Sequence, residues 1–387
     1  MSEDVDFVVA GLGALGSAAA YELAGRDYRV VGLERFELGH SRGASHDTSR
    51  ILRHSYHTPT YVRLTEQAYR DWARLEQSSG LDLVTTVGGL DLFPPDAAIP
   101  PIDYVGSLRE VGIEHEELDA SEVTARWPQL RVADDVMALY QPDAAIVPAA
   151  VGTRTMQELA AEFGAELRER CPVTGVRERG TGRVEVETPG GTLRCRGLVV
   201  CADAWVNDVV GHLGLEIPVE VTLEQVTYFR PDDPAPFAPD RMPLWIWMDD
   251  PSYYGFPTYG EPTIKAAQDC GGPSVDPDAR TSEPDPGMQE RLAAFVGDLL
   301  PGSGPPVRSL RCQYTLTPDR DFVIAPVPGH ESVVVGLGAA HGFKFAPTFG
   351  RLLADLVVDG GTGTDLSDFR LDRPALTDPD HDARWLV

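Results

Sequence analysis

The chain has 387 residues, 42% of them apolar, which suffices for one or two sizeable cores. Sixty acidic residues against 33 basic ones give a formal charge of -27, a balance that repels nucleic acid and anionic membrane surfaces. No apolar run is long enough to span a bilayer, and the opening MSEDVDFVVA carries acids where a secretory signal would carry bases, so a cytoplasmic location is expected.

Taken in chain order, Val5 to Ala10 is a β-branched run that leads into Gly11-Leu12-Gly13-Ala14-Leu15-Gly16, and Ser17 to Ala24 has helix-forming composition. A second apolar run, Tyr28 to Leu33, ends at Glu34. This is a dinucleotide fingerprint in its full context of strand, glycine turn, helix and acid. Gly11 permits the turn, Gly13 lets the backbone approach a pyrophosphate, Gly16 allows close helix packing, and Glu34 can accept from ribose hydroxyls. A glutamate there disfavours the 2′-phosphate of NADP, but the fingerprint does not separate NAD from FAD. The stretch from Gly43 to Tyr56 that follows is dense in small, polar and cationic residues, which suits a ligand-facing segment as well as a solvated loop.

Further strands are expected at Leu198 to Ala202, before Asp203-Ala204-Trp205, and at Val333 to Gly338, before an amphipathic helix over Phe349 to Val358. Segments 86–145 and 221–315 alternate apolar residues with many prolines, which suits a mostly antiparallel sheet. The Pro- and Asp-rich tracts Pro231 to Pro243 and Pro273 to Pro286 are expected to be surface loops. The fold class is therefore α/β (α+β): a Rossmann-like nucleotide domain built from 1–85, 146–220 and 316–387, interleaved with an antiparallel-sheet substrate domain from 86–145 and 221–315. The five cysteines show no spacing for a metal site or a disulfide framework, and Cys171, Cys195 and Cys201 are expected to be buried as small hydrophobes. Of the basic residues only Lys265 and Lys344 are lysines; all the rest are arginines.

Five ordered segments carry a resemblance along nearly the whole chain: GLGALG, SRILRHSY (Ser49 to Tyr56), YYGFP (Tyr253 to Pro257) with Lys265 after it, CQYTLTPD (Cys312 to Asp319) and HGFKF (His341 to Phe345). The chain resembles the monomeric sarcosine oxidase and N-methyl-L-tryptophan oxidase family of the D-amino-acid-oxidase-like flavoproteins. The resemblance implies an FAD-binding domain of the GR2 type and FAD held covalently as an 8α-S-cysteinyl group at Cys312. Arg311 beside it would favour the thiolate. It also implies FAD contacts from Gly11, Gly13, Ala14, Leu15, Gly16, Glu34, Arg35, Ser41, Ser45, His46, Ser49, Arg50, Val176, Ala202, Trp205, Gly338, Gly342, Phe343 and Lys344.

By the same resemblance, Lys265 assists reaction with oxygen, Arg53 and Lys344 clamp a substrate carboxylate, and Tyr254 lines the pocket. Arg50 and His46 lie near the flavin ring, where His46 either tunes polarity or is structural. The implied reaction is oxidation of a secondary amine such as an N-methyl amino acid, by hydride transfer to the flavin, with imine hydrolysis and reduction of O₂ to hydrogen peroxide. The implied protein is a soluble monomer with a small-molecule amine or amino acid and O₂ as partners.

The chain departs from that pattern at Asp269, where the sarcosine enzymes have histidine. A pocket-facing carboxylate would favour a cationic or polyhydroxylated substrate, whereas an Asp capping an exposed turn at Gly271 would mean nothing. Asp203 is a second departure. Pocket volume is expected to depend on Trp245, Trp247, Tyr254 and Tyr259. The competing readings are a flavin dehydrogenase with another acceptor, an oxidase of cyclic imino or glycated amino acids, a non-catalytic flavoprotein, and an NAD-dependent dehydrogenase.

Overall fold

The computed structural model describes residues 2–180 and 182–381. Its central element is a six-stranded sheet in the order 166–168, 30–33, 7–10, 197–200, 330–337, 323–327, parallel throughout except for the last strand, which returns as a hairpin. Phe7–Ala10, Val30–Leu33 and Gly197–Val200 are buried at every residue because both faces of the sheet are covered, which is why they read as continuous apolar runs.

Helices Ala14–Ala24, Ala149–Glu162 and Ala346–Asp359 cover one face. A four-stranded sheet of 2–4, 191–195, 184–188 and 175–178 covers the other, with Val176, Val186 and Leu193 packed against Val8, Val31 and Val200. The first helix begins at Ala14, ahead of the expected Ser17, because the small residues after Gly13 already wind into its first turn. Its alanines allow a close crossing: a Cβ added at Gly350 would stand 2.4 Å from both the carbonyl carbon and the Cβ of Ala18.

The second large sheet has eight strands in the order 306–316, 220–229, 264–268, 253–256, 244–247, 89–93, 137–141, 116–118. It is antiparallel except where Leu244–Trp247 runs parallel to Gly89–Phe93, the seam at which two remote stretches of chain meet. Helix Pro286–Leu299 packs on its outer face through Phe295, which stacks on Tyr253. A small sheet of 50–52, 145–147 and 85–86 lies between the two large ones in sequence and carries Arg50.

Sequence reading missed the helix Pro59–Ser79, although Pro59 opens it and Gly80 closes it in the left-handed conformation at φ 69°. Its Trp72 is fully buried and donates from Nε1 to the Lys344 carbonyl at 2.8 Å, which ties HGFKF to the core. Among the described residues no helix is long and apolar enough to cross a membrane.

The crossing at Gly350 yields a stability prediction. Gly350→Ala forces a methyl into filled space and should cost about 1–3 kcal/mol. Urea unfolding of the purified protein should show a lower midpoint with an unchanged slope; an unshifted midpoint would mean that the helices part without cost.

Candidate active site

A cavity of about 540 Å³ opens at the carboxyl ends of the parallel strands. Its lining includes Gly11, Gly13, Ala14, Leu15, Glu34, Arg35, Ser45, His46, Arg50, Ala202, Trp205, Gly338, Gly342 and Phe343. Gly11 has φ 89°, and a Cβ there would lie 2.4 Å from the Cys201 carbonyl oxygen; one on Gly16 would lie 1.8 Å from that of Gly11. The turn is therefore restricted to glycine at both positions.

Ala14 N–H donates to Ser45 Oγ at 2.9 Å, while Leu12 and Phe36 N–H donate to the two Glu34 oxygens at 2.9 and 3.0 Å. Burial would raise the Glu34 carboxyl, but His40 and these backbone donors outweigh it and hold it below its ordinary value. Arg35 stands at the rim, paired with Asp208 at 3.0 Å and Asp278 at 3.1 Å.

Several expectations shift here. Ser41 is exposed and Val176 is buried in the second core; both lie outside the lining, as do Gly16, Ser49, Cys312 and Lys344, and Val173 faces the cavity instead. Cys171 is half-buried at the cavity wall, because its N–H is held by the Glu34 carbonyl at the sheet edge, whereas Cys195 and Cys201 are buried. Asp203 also lines the cavity; it has φ 48°, and burial pushes its carboxyl up to about 6.

Past the cavity, strand alternation on the eight-stranded sheet puts Tyr228, Glu224, Lys265, Tyr254, Cys312 and Tyr314 on one face. Lys265 is 3% exposed; its Nζ pairs with Asp47 Oδ2 at 2.6 Å and donates to the Ser49 carbonyl at 2.9 Å and to Ser49 Oγ at 3.2 Å. Tyr228 donates to Asp47 Oδ1 at 2.5 Å. Burial and then Arg50 lower Lys265 to about 8, against the pull of Asp47. Lys265 and Arg50 in turn overcome the burial of Asp47 and bring it to about 2.

Arg50 donates to the carbonyls of Ser49, Ala44 and His46 at 2.8, 2.8 and 3.1 Å. His46 is pushed down to about 4 by burial and by Arg50, so it is neutral at physiological pH, and its buried Nε2 has no partner within the protein. Burial raises the Cys312 thiol, while Arg50 and Lys265 pull against it. Arg311 does not act on the thiol: as the next residue on the strand it points through the sheet to the Leu223 carbonyl at 2.9 Å.

A second pair of cations flanks Tyr56. Arg53 Cζ lies 4.8 Å and Lys344 Nζ 5.5 Å from the centroid of its ring. Arg53 Nη1 pairs with Asp91 at 3.4 Å; Lys344 Nζ donates to the His341 carbonyl at 3.0 Å. Burial and then Arg53 lower Lys344 to about 7, with Asp269 opposing.

Asp269 faces this group. It continues the alternation of Lys265 and Ala267, and its charge acts on Arg53, Lys344, Tyr56, Tyr254 and Tyr314. The following turn is held by Glu224, which accepts from Gly271 and Gly272 N–H at 3.0 and 2.9 Å, so Asp269 is not its cap. Trp245 and Trp247 do not border the pocket. Their register partners Gly255 and Tyr253 place them on the outer face with Phe295, while Ile246 and Tyr254 point inward.

Sequence reading missed Asp47, Asp91, Glu224, Tyr56, Tyr228 and Tyr314. A signal existed for two of them: Asp91 in GGLDLF and Glu224 in VTLEQVTYF are lone acids inside apolar strands, where a buried carboxylate requires partners.

Comparison with known proteins bears on this arrangement. The family model described as FAD dependent oxidoreductase matches residues 6–356. The monomeric sarcosine oxidase of Streptomyces avermitilis is 36% identical, over 94% of this chain and 96% of that protein. An N-methyl-L-tryptophan oxidase of Escherichia coli O81 is 30% identical, over 95% of this chain and 99% of that protein. Among solved structures, the open form of NikD, an unusual amino acid oxidase essential for nikkomycin biosynthesis, superposes with a TM-score of 0.84 at 28% identity and covers 95% of this chain and 97% of its own.

The Asp47 and Lys265 pair is nearly water-free, with side chains 3% and 4% exposed. Removing the acid alone strands a buried ammonium, so Asp47→Asn should lower the unfolding free energy by about 3 kcal/mol or more. Lys265→Met in the same background should restore part of that loss. A double-mutant cycle by urea unfolding measures the coupling, and simple additivity of the two losses would show the pair to be uncoupled.

Proposed function

The chain belongs to the FAD-dependent oxidoreductase family, and from that premise we propose that it is an oxidase of secondary amines. Its substrate is an N-methyl or otherwise N-substituted amino acid, and oxygen is the acceptor. The observation that carries the substrate class is Lys344. The residue is 8% exposed and its ammonium has three donors, of which the His341 carbonyl takes one. Among the described residues no carboxylate lies within ion-pairing distance of it. A substrate carboxylate supplies the missing partner, with Arg53 beside it across Tyr56.

The residues present fit FAD. The glycine turn leaves the backbone bare beside the cavity, Glu34 stands at the ribose position, and the buried His46 Nε2 and Thr153 Oγ1 on the cavity wall have no partner within the protein. When bound, the flavin supplies the redox chemistry, taking two electrons from the carbon–nitrogen bond and yielding them to oxygen with formation of hydrogen peroxide. In this reading Arg53 and Lys344 hold and orient the carboxylate, and Tyr254 and Tyr314 wall the pocket and exclude water. Lys265 supplies a fixed cation where negative charge develops as oxygen is reduced.

Cys312 tethers the cofactor through a thioether. The support is its place in CQYTLTPD, on the face shared with Lys265 and within reach of the Arg50 and Lys265 charges. The segments 1–85, 146–220 and 316–387 then form the cofactor domain, and 86–145 and 221–315 the substrate domain.

A second reading, a dehydrogenase passing electrons to another carrier, draws support from Asp47. At 2.6 Å its carboxylate offsets the Lys265 charge that would favour oxygen. Oxygen uptake with peroxide detection, set against reduction of an artificial dye acceptor, separates the two.

The tether gives a test of the whole reading. Acid precipitation of the purified protein should leave the flavin with the pellet, and Cys312→Ser should release it into the supernatant. Flavin free in the wild-type supernatant would remove the tether, and an absence of bleaching on anaerobic addition of N-methyl amino acids would remove the amine oxidase.

A further inference from the structure

The charges around Tyr56 are those of two cations, Arg53 and Lys344, and two carboxylates, Asp91 and Asp269. Arg53 is already matched by Asp91 at 3.4 Å, which leaves Lys344 and Asp269 as the two groups open to a ligand. Amine oxidation requires the reacting nitrogen to be neutral, because its lone pair must be free. The reacting form of a simple N-methyl amino acid is therefore an anion that satisfies Lys344 and leaves Asp269 with nothing but repulsion. Holding that nitrogen as an ammonium would satisfy Asp269 but would oppose the reaction.

We infer that the substrate carries a second, permanently cationic group beyond the reacting amine, and that Asp269 receives it. The inference rests on the amine-oxidase reading and narrows its substrate class to basic N-substituted amino acids.

Depth in the pocket supports this assignment. Arg53, Lys344 and Lys265 are 6%, 8% and 3% exposed, whereas Asp269 is half-buried and so lies nearer solvent, the side toward which a distal group would extend. The carboxylate is also held in place. Asp269 N–H donates to the Ser252 carbonyl at 2.9 Å, and the next turn is fixed by Glu224, whose other oxygen accepts from Thr222 at 2.6 Å. Gly272 has no room for a side chain, since a Cβ would stand 2.2 Å from the Leu223 carbonyl oxygen, so the turn cannot drift outward by substitution there. The other titratable groups near Asp269 are Tyr56, Tyr254, Tyr314 and Cys270, all neutral at pH 7 because burial raises each of them, with Arg320 acting on Cys270 and Glu224 committed to Thr222 and the two glycine N–H groups. Asp269 is thus the carboxylate left to meet a distal group.

The test separates this inference from the reading beneath it by using ligands that cannot be oxidised. Binding of ω-aminoalkanoates and of alkanoates of equal length to the flavin-loaded protein is measured by calorimetry at neutral pH. Wild type should prefer the amino compound by about tenfold or more, the range of one charge-assisted hydrogen bond. Asp269→Asn should abolish that preference while still binding the plain alkanoate, and Asp269→Glu should retain part of it. A wild type indifferent to the distal charge, or a preference untouched by Asp269→Asn at unchanged melting temperature, overturns the inference and leaves the amine oxidase standing. Failure of both carboxylates to bind overturns the two together.

Discussion

Taking a cation out of water costs several kcal/mol unless fixed dipoles or an anion replace its hydration, and this chain does so with four of them within one site. Lys265 is matched by Asp47, Arg53 by Asp91, and Arg50 by three backbone carbonyls. Lys344 has a single carbonyl. The surrounding structure can be understood as the apparatus that keeps these partners in place. Asp47 accepts a left-handed backbone at φ 81°, which an aspartate tolerates better than most residues. Ser49 is buried so that its carbonyl and hydroxyl both meet Lys265.

The two sheets divide the labour. The parallel sheet ends in a glycine turn whose carbonyl crowding at Gly11 and Gly16 fixes where a dinucleotide can lie. The eight-stranded sheet presents side chains at period two, so Lys265, Asp269, Tyr254, Cys312 and Tyr314 arrive on one face although they come from three strands and a turn. Segment 50–53 connects the two arrangements. Arg50 acts beside the cavity and Arg53 three residues on beside Tyr56, with the intervening Ile51 and Leu52 anchoring the strand.

This geometry explains what could be read from the residues and what could not. The glycine fingerprint is legible because its constraint is local, and each glycine answers to atoms of the same turn or of the adjoining strand. Lysines 265 and 344 stood out because arginine fills nearly every other basic position. Partners were not legible, since Asp47 lies 218 residues from Lys265 and their meeting depends on the packing of two sheets. Facing failed for a related reason. Adjacency assigns Arg311 to Cys312, and residue type assigns Trp245 and Trp247 to the pocket, but in a strand the neighbour of an inward residue points outward. Long-range sheet register decides these questions, and no spacing in the sequence records it.

The choice of lysine at both positions follows from the same electrostatics. An arginine in a dry site stays charged, because its guanidinium is too basic for burial to bring it near neutrality. A lysine does not: burial carries Lys265 to about 8 and Lys344 to about 7, so each lies within reach of losing its proton. Lys265 keeps the carboxylate of Asp47 beside it, which favours its protonated form. Lys344 has no such partner within the described residues, so an arriving carboxylate stabilises its protonated form. The same residue type is thus braced by an adjacent aspartate on the sheet and by a single carbonyl beside Tyr56, and that difference in partners sets how firmly each holds its proton.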